Sequence, residues 1–180
     1  MSKFFRIDDV SLNTDPAKFA AMVSDLRSRF QSCKIMAAVS PCFHTKVGER
    51  VFPSMLKLQS GATAFYQPDK VGIPWEMMGL VDEVAAHGIV HADHQLMGLA
   101  AQELSILLSC SLTRCKTFVP PFNHHNDQTS EACIKHGIKL IRWHDRMIHL
   151  KFHKVTPDQD YYYFHTHDFP TMEAFKEQIA

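Results

Sequence analysis

The strongest constraint on how this chain can fold is a repeated change of hydrophobic period. Apolar runs short enough to be strands alternate with segments whose apolar residues recur at helical spacing. Residues 3–7 predict a strand that runs into Asp8 and Asp9. Asp15 and Pro16 then offer an N-cap and a first-turn proline, and Phe19, Met22, Val23, Leu26 and Phe30 follow on one helical face. Residues 34–39 predict a second strand, closed by Ser40 and Pro41. Further on, 75–86 has a helical pattern ended by Gly88, 89–90 a short strand, 96–109 a helix, and 117–119 a strand meeting Pro120 and Pro121. Residues 130–136 predict a helix with Gly137 at its C-terminal cap. Residues 138–143, 147–155 and 161–164 predict strands, and 170–179 a closing helix. The stretch 47–71 predicts a long loop with a short helix around 53–59. Strands alternating with helices argue for parallel βαβ units, hence an α/β protein, open or barrel-like.

The length of 180 residues suits one domain with its own core, and 46% hydrophobic with 21% charged residues is the balance of an ordinary globular protein. The 19 basic and 19 acidic side chains cancel, which argues against a partner held by phosphate neutralisation, and so against nucleic acid. Five cysteines (33, 42, 110, 115 and 133) are scattered, odd in number and without a CxxC pair. They predict buried thiols in a reducing cytoplasm, not a disulfide framework or a zinc knuckle. The first nine residues contain no apolar core of a signal peptide, and no run approaches the roughly 18 apolar residues of a membrane span.

In parallel α/β folds the reactive residues gather at the carboxyl ends of the strands. The predicted strands here end in Asp8-Asp9, near His87 and His91, in Pro120-Pro121-Phe122-Asn123-His124-His125, in Trp143-His144-Asp145 and in His165-Thr166-His167-Asp168. Much of the chain's unusual count of 12 histidines therefore falls at strand ends. Two neighbouring carboxylates repel, so a cation or a proton is expected between Asp8 and Asp9; a solvated acidic loop is the plain alternative. His87 and His91 are spaced to chelate one ion, or are two surface or core histidines; His94 can be a fourth ligand or support the others. Two prolines stiffen the next turn and leave the Phe122 amide as its first free donor, suited to an oxyanion. Either His165 or His167 can act as a general acid, held by Asp168 or Asp145. Trp143 either packs in the core or stacks on a sugar ring.

The order of an acidic pair, H-x-x-x-H, a Pro-Pro-aromatic turn and a late histidine resembles the polysaccharide deacetylase (NodB-homology, carbohydrate esterase 4-like) superfamily, over nearly the whole chain. The stretch Val84-Ala85-Ala86-His87 to His91 is similar to the branch associated with bacterial surface-polysaccharide genes. The resemblance implies a distorted (β/α) barrel of fewer than eight strands, one domain over residues 1–180. It implies a divalent metal held by Asp9, His87 and His91, with zinc expected and iron, cobalt or nickel as alternatives. Asp8 becomes the base, the Phe122 amide the oxyanion donor, and His165 or His167 the acid. Asn123, His124 and Trp143 become substrate contacts.

Three departures from the family pattern stand out. The arginine usual before the proline pair, which orients the base, is Val119; the glycine after the aromatic is Asn123; the glycine after the acidic pair is Val10. Arg142, His144 or His124 are the candidates to orient Asp8 instead. The expected function is a cytoplasmic, metal-dependent N-deacetylase of an acetamido sugar, free or nucleotide-linked or polymeric, in cell-surface (O-antigen-like) lipopolysaccharide assembly. The alternatives are a catalytically silent carbohydrate-binding relative and a metal-dependent hydrolase of another carbon–nitrogen bond.

Overall fold

A computed structural model of the chain describes residues 2–41, 72–89, 91, 93–141 and 147–180. Among the described residues seven strands form one sheet in the order β5-β4-β3-β2-β1-β7-β6. These are β1 (Phe4–Val10), β2 (Lys34–Val39), β3 (Glu83–Ala86), β4 (Thr117–Phe118), β5 (Lys139–Leu140), β6 (Met147–His149) and β7 (Tyr161–His165). All of the pairings are parallel. The sheet curls into a half-barrel with helices outside, the distorted α/β barrel of fewer than eight strands that the sequence predicts. The helices are α1 (Pro16–Arg29), α2 (Trp75–Met78), α3 (Leu99–Thr113), α4 (Asp127–Lys135) and α5 (Met172–Gln178).

Strand β1 is the spine, and its two-residue period sorts the molecule into an outside and an inside. Phe5 and Ile7 point outward into a core with Phe19, Met22, Val23 and Leu26 of α1, Tyr162 and Phe164 of β7 and Phe175 of α5. Full burial of each such side chain contributes about 1.5–3 kcal/mol. Asp15 starts α1 by accepting from the Ala17 and Lys18 amides, and Arg27 and Arg29 close it where cations suit the helix dipole. The inward face carries Phe4, Met36, Ala38, Ala85 and Val119 in a small apolar cluster. Arg6 also lies on it, wholly buried, in register with Met36 on one side and Tyr163 on the other.

The predicted helix over 75–86 is the main correction. Only Trp75–Met78 is helical; Gly79 ends it, and Glu83–Ala86 is the interior strand β3. The Asp82 amide donates to the Ile35 carbonyl and its carboxylate accepts from the Ile35 amide at 2.8 Å, which docks the chain onto β2. Small alanines then fit between β2 and β4 although they have little intrinsic strand preference. Ile89 belongs to no strand, since the pairing stops at Ala86. The strand predicted over 147–155 stops at His149, and that over 138–143 reduces to Lys139–Leu140 among the described residues. Helix α4 begins three residues early because Asn126 caps it. The loop and helix expected within 47–71 lie outside the described residues.

Candidate active site

Four strands deliver the site. β1 ends in the two aspartates, β3 is followed directly by His87, β4 leads into the proline turn, and β7 ends in His165. Neighbours on a strand normally face opposite ways, but the β1–β2 register slips by one residue between Ile7 and Val10. Asp9 takes up that bulge at φ 59°, so both carboxylates turn towards the same cleft.

Asp9, His87 and His91 bring one ligand atom each to within 4.8 Å of one another. His87 Nδ1 is 2.8 Å from the Val119 carbonyl, which can only accept, so Nδ1 carries the proton and Nε2 presents a lone pair. That Nε2 is 3.2 Å from Asp9 Oδ1, and His91 Nε2 is 2.9 Å from the same oxygen. Asp9 Oδ1 is buried and has no aligned hydrogen-bond donor. An acceptor facing an acceptor at this range needs a cation or an extra proton between them. Two imidazoles and one carboxylate are a donor set for zinc, iron, cobalt or nickel, so the residues fit the divalent ion.

Asp8 is 97% buried and differently held. Arg6, two residues earlier on the same face of β1, grips both of its oxygens, Nε to Oδ1 and Nη2 to Oδ2, each at 2.7 Å. The same Nη2 donates to Asn123 Oδ1 at 2.6 Å. The guanidinium packs over the Tyr163 ring, 5.5 Å from its centroid. Breaking a buried ion pair by removing one partner costs about 3–5 kcal/mol. The sequence offers Arg142, His144 or His124 to orient Asp8; among the described residues Arg6 holds it, while His124 pairs with Asp93. The available signal was a cation two residues before Asp8 inside an apolar strand.

On the far side, Asp168 Oδ2 accepts from the His165 amide at 2.8 Å, His165 Nδ1 at 2.9 Å and His149 Nε2 at 2.8 Å. His149, His165 and Asp168 are a second group with ligand-like spacing, but their atoms are already used on one another. His165 Nε2 faces the cleft, 3.6 Å from Asp9 Oδ2. Burial alone would lower the His165 pKa; Asp168, Asp9 and Asp8 overcome it and push it up to about 9. His167, stacked on His165 at 4.9 Å, is pulled down by burial and by the charge of its neighbour. The geometry thus separates two histidines that the sequence left equivalent, and it adds His149, to which the sequence assigned nothing.

The proline turn holds Phe122 and Asn123 at φ 57° each and closes through the Asn123 and His124 amides. The Phe122 ring lies 4.3 Å from that of His91. His124 is half-exposed and paired with Asp93 at 2.9 Å. His94 is no fourth ligand: it is buried against Phe118, with Nε2 3.3 Å from Ser105 Oγ, and burial lowers its pKa to about 3. Trp143, Arg142, His144 and Asp145 lie outside the described residues.

No family model matches the sequence, and no curated protein does. The solved structures do. A family 4 carbohydrate esterase from Streptomyces lividans, in complex with acetate, superposes with a TM-score of 0.57 at 14% identity, covering 97% of this chain and 82% of that one. This is the fold of the family 4 carbohydrate esterases. Peptidoglycan deacetylase PdaC from Bacillus subtilis shares it with a TM-score of 0.59 at 12% identity, covering 98% of this chain and 82% of that one. A family 4 pseudoenzyme from Bacillus anthracis shares it with a TM-score of 0.56 at 11% identity, and 98% of this chain spans 59% of that one. Within the esterase fold the family supplies the frame, and the residues described above are this chain's own.

Proposed function

We propose that the protein is a metal-dependent deacetylase that hydrolyses the acetamido group of a sugar. The observation that carries this reading is the unsatisfied Asp9 oxygen facing the His87 and His91 nitrogens, with a separately held carboxylate one residue away. A divalent ion bound by Asp9, His87 and His91 supplies Lewis acidity towards the acetamide carbonyl and towards water. Asp8 then takes a proton from the attacking water as its oxygen bonds to the carbonyl carbon. The Phe122 amide faces the oxyanion that forms. Protonated His165 gives its Nε2 proton to the leaving nitrogen as the carbon–nitrogen bond breaks, so acetate and a free amine result. His124 flanks the sugar, and the Asp168 carboxylate keeps His165 charged.

A role in surface-polysaccharide assembly rests on the likeness of residues 84–91 to that branch. A cytoplasmic setting rests on the cysteine pattern of the sequence, five in number, scattered and without a CxxC pair. None of the described helices is long and apolar enough to cross a membrane. Val119, in place of an arginine, favours a silent carbohydrate-binding relative; the Arg6 fork on Asp8 weighs against it. Acetate release from N-acetylated sugars, sugar nucleotides and non-sugar amides, assayed side by side, tests the proposal. Release from sugars, reduced by about 10²–10⁴ in Asp8→Asn, is the expected result. Turnover of only the non-sugar amides supports the other hydrolase, and no turnover the silent binder.

A further inference from the structure

We infer that Arg6 and Asn123 form a strut that positions Asp8 and fixes its spacing from the Phe122 turn, an inference that rests on the reading of Asp8 as the base. Asp8 and the Phe122 amide both take part in the proposed reaction, yet one lies on β1 and the other in the turn after β4. A single nitrogen, Arg6 Nη2, bonds to Asp8 Oδ2 at 2.7 Å and to Asn123 Oδ1 at 2.6 Å, joining them with no intermediary.

Several features make the strut rigid without blocking the base. Arg6 is wholly buried, and the Tyr163 ring beneath it limits its rotamers. Its planar fork fixes both Asp8 oxygens, whereas a lysine would hold them with one mobile charge. The fork takes one lone pair from each oxygen, and a carboxylate has about four acceptor sites, so room remains for a proton. Asn123 fits its place for two reasons. Asparagine tolerates a φ of 57° better than most residues, and unlike glycine it offers an oxygen to the guanidinium.

Val119 explains why the support comes from below. Its side chain lies in the apolar cluster with Met36, Ala38 and Ala85, while its carbonyl accepts from His87. That position therefore orients a candidate metal ligand through its backbone and leaves the base to Arg6. Arg6 and Asn123 are positioning residues and touch no substrate.

The test uses the full chain, purified with its bound metal, and the variants Asn123→Gly and Arg6→Lys in wild-type and Asp8→Asn backgrounds. Asn123→Gly keeps the buried ion pair and so provides a folded variant whatever happens to Arg6→Lys. The expected kcat losses are about tenfold for Asn123→Gly and on the order of 100-fold for Arg6→Lys, with KM within about twofold. Neither variant should change metal per chain, and neither should add a loss in the Asp8→Asn background. Equal losses in both backgrounds, losses confined to KM, or an unchanged kcat would overturn the strut while leaving the deacetylase reading intact. A wild type that releases no acetate defeats that reading instead. The strut is then judged from the carboxyl 13C resonance of Asp8, assigned by Asp8→Asn. Movement of that resonance in both variants supports the strut, and a stationary resonance overturns it.

Discussion

Asp8 and Asp9 are adjacent, identical in chemistry and surrounded in opposite ways. Asp8 has its oxygens gripped by a buried guanidinium, so its charge is compensated within the chain. Asp9 has a buried oxygen without an aligned donor, opposed by imidazole nitrogens. The difference teaches how one acidic pair can divide its labour. A compensated carboxylate has a fixed orientation and can await a proton, while an uncompensated one recruits a cation. The bulge at Asp9 makes the division possible, because a regular strand would send one of the two into the outer core.

The comparison is broken most severely by Asp9→Ala. It should abolish both metal retention and acetate release, as should His91→Ala, whereas Asp8→Asn should keep the metal and lose turnover. Metal analysis after gel filtration, beside the acetate assay, separates the two carboxylates. Metal retained in Asp9→Ala would erase the distinction.

A smaller effect is expected from Asp168→Asn. His165 is held up at about 9, so it keeps its proton below that value and loses it as the pH rises through it. The alkaline limb of kcat/KM should lie near there in the wild type and move to lower pH in the variant. Stability follows the same sign. A histidine with a raised folded pKa contributes fully below its unfolded value of about 6.5 and loses that contribution as pH climbs towards the folded one. The Tm of the wild type should therefore fall more steeply across this window than that of Asp168→Asn, as calorimetry at stepped pH will show.

The smallest effect is expected at His124→Ala. Its half-exposed pair with Asp93 is of a kind worth about 0.2–1 kcal/mol. A modest Tm shift with metal content unchanged would confirm that the rim differs from the floor of the cleft. Lost metal would extend the ligand set to residues now read as substrate contacts.

Much of the fold was legible because alternation and caps are local. The Asp15 cap and the parallel pairing both follow from short-range pattern. The strand Glu83–Ala86 was not legible, because alanines carry no period and the strand exists only by its neighbours' hydrogen bonds. In the site, His87 and His91 stand out by spacing, and the acidic pair by composition. Arg6 was hidden because an arginine among apolar residues looks like an ordinary solvated cation until its strand is known to lie inside a barrel. His165 and His167 could not be told apart, since only the chain's turn back to Asp168 distinguishes them.

The left-handed backbone at Asp9, Phe122 and Asn123 has one more consequence. Non-glycine residues held there cost on the order of 1–3 kcal/mol each, less for asparagine, and glycine would relieve the strain. Mutational routes to a hardier protein therefore run through the cleft as well as through Arg114, which shares this conformation at φ 53° after α3. Asp9→Gly would relieve backbone strain and remove a proposed ligand in the same step. Selection for robustness alone would therefore work against this site.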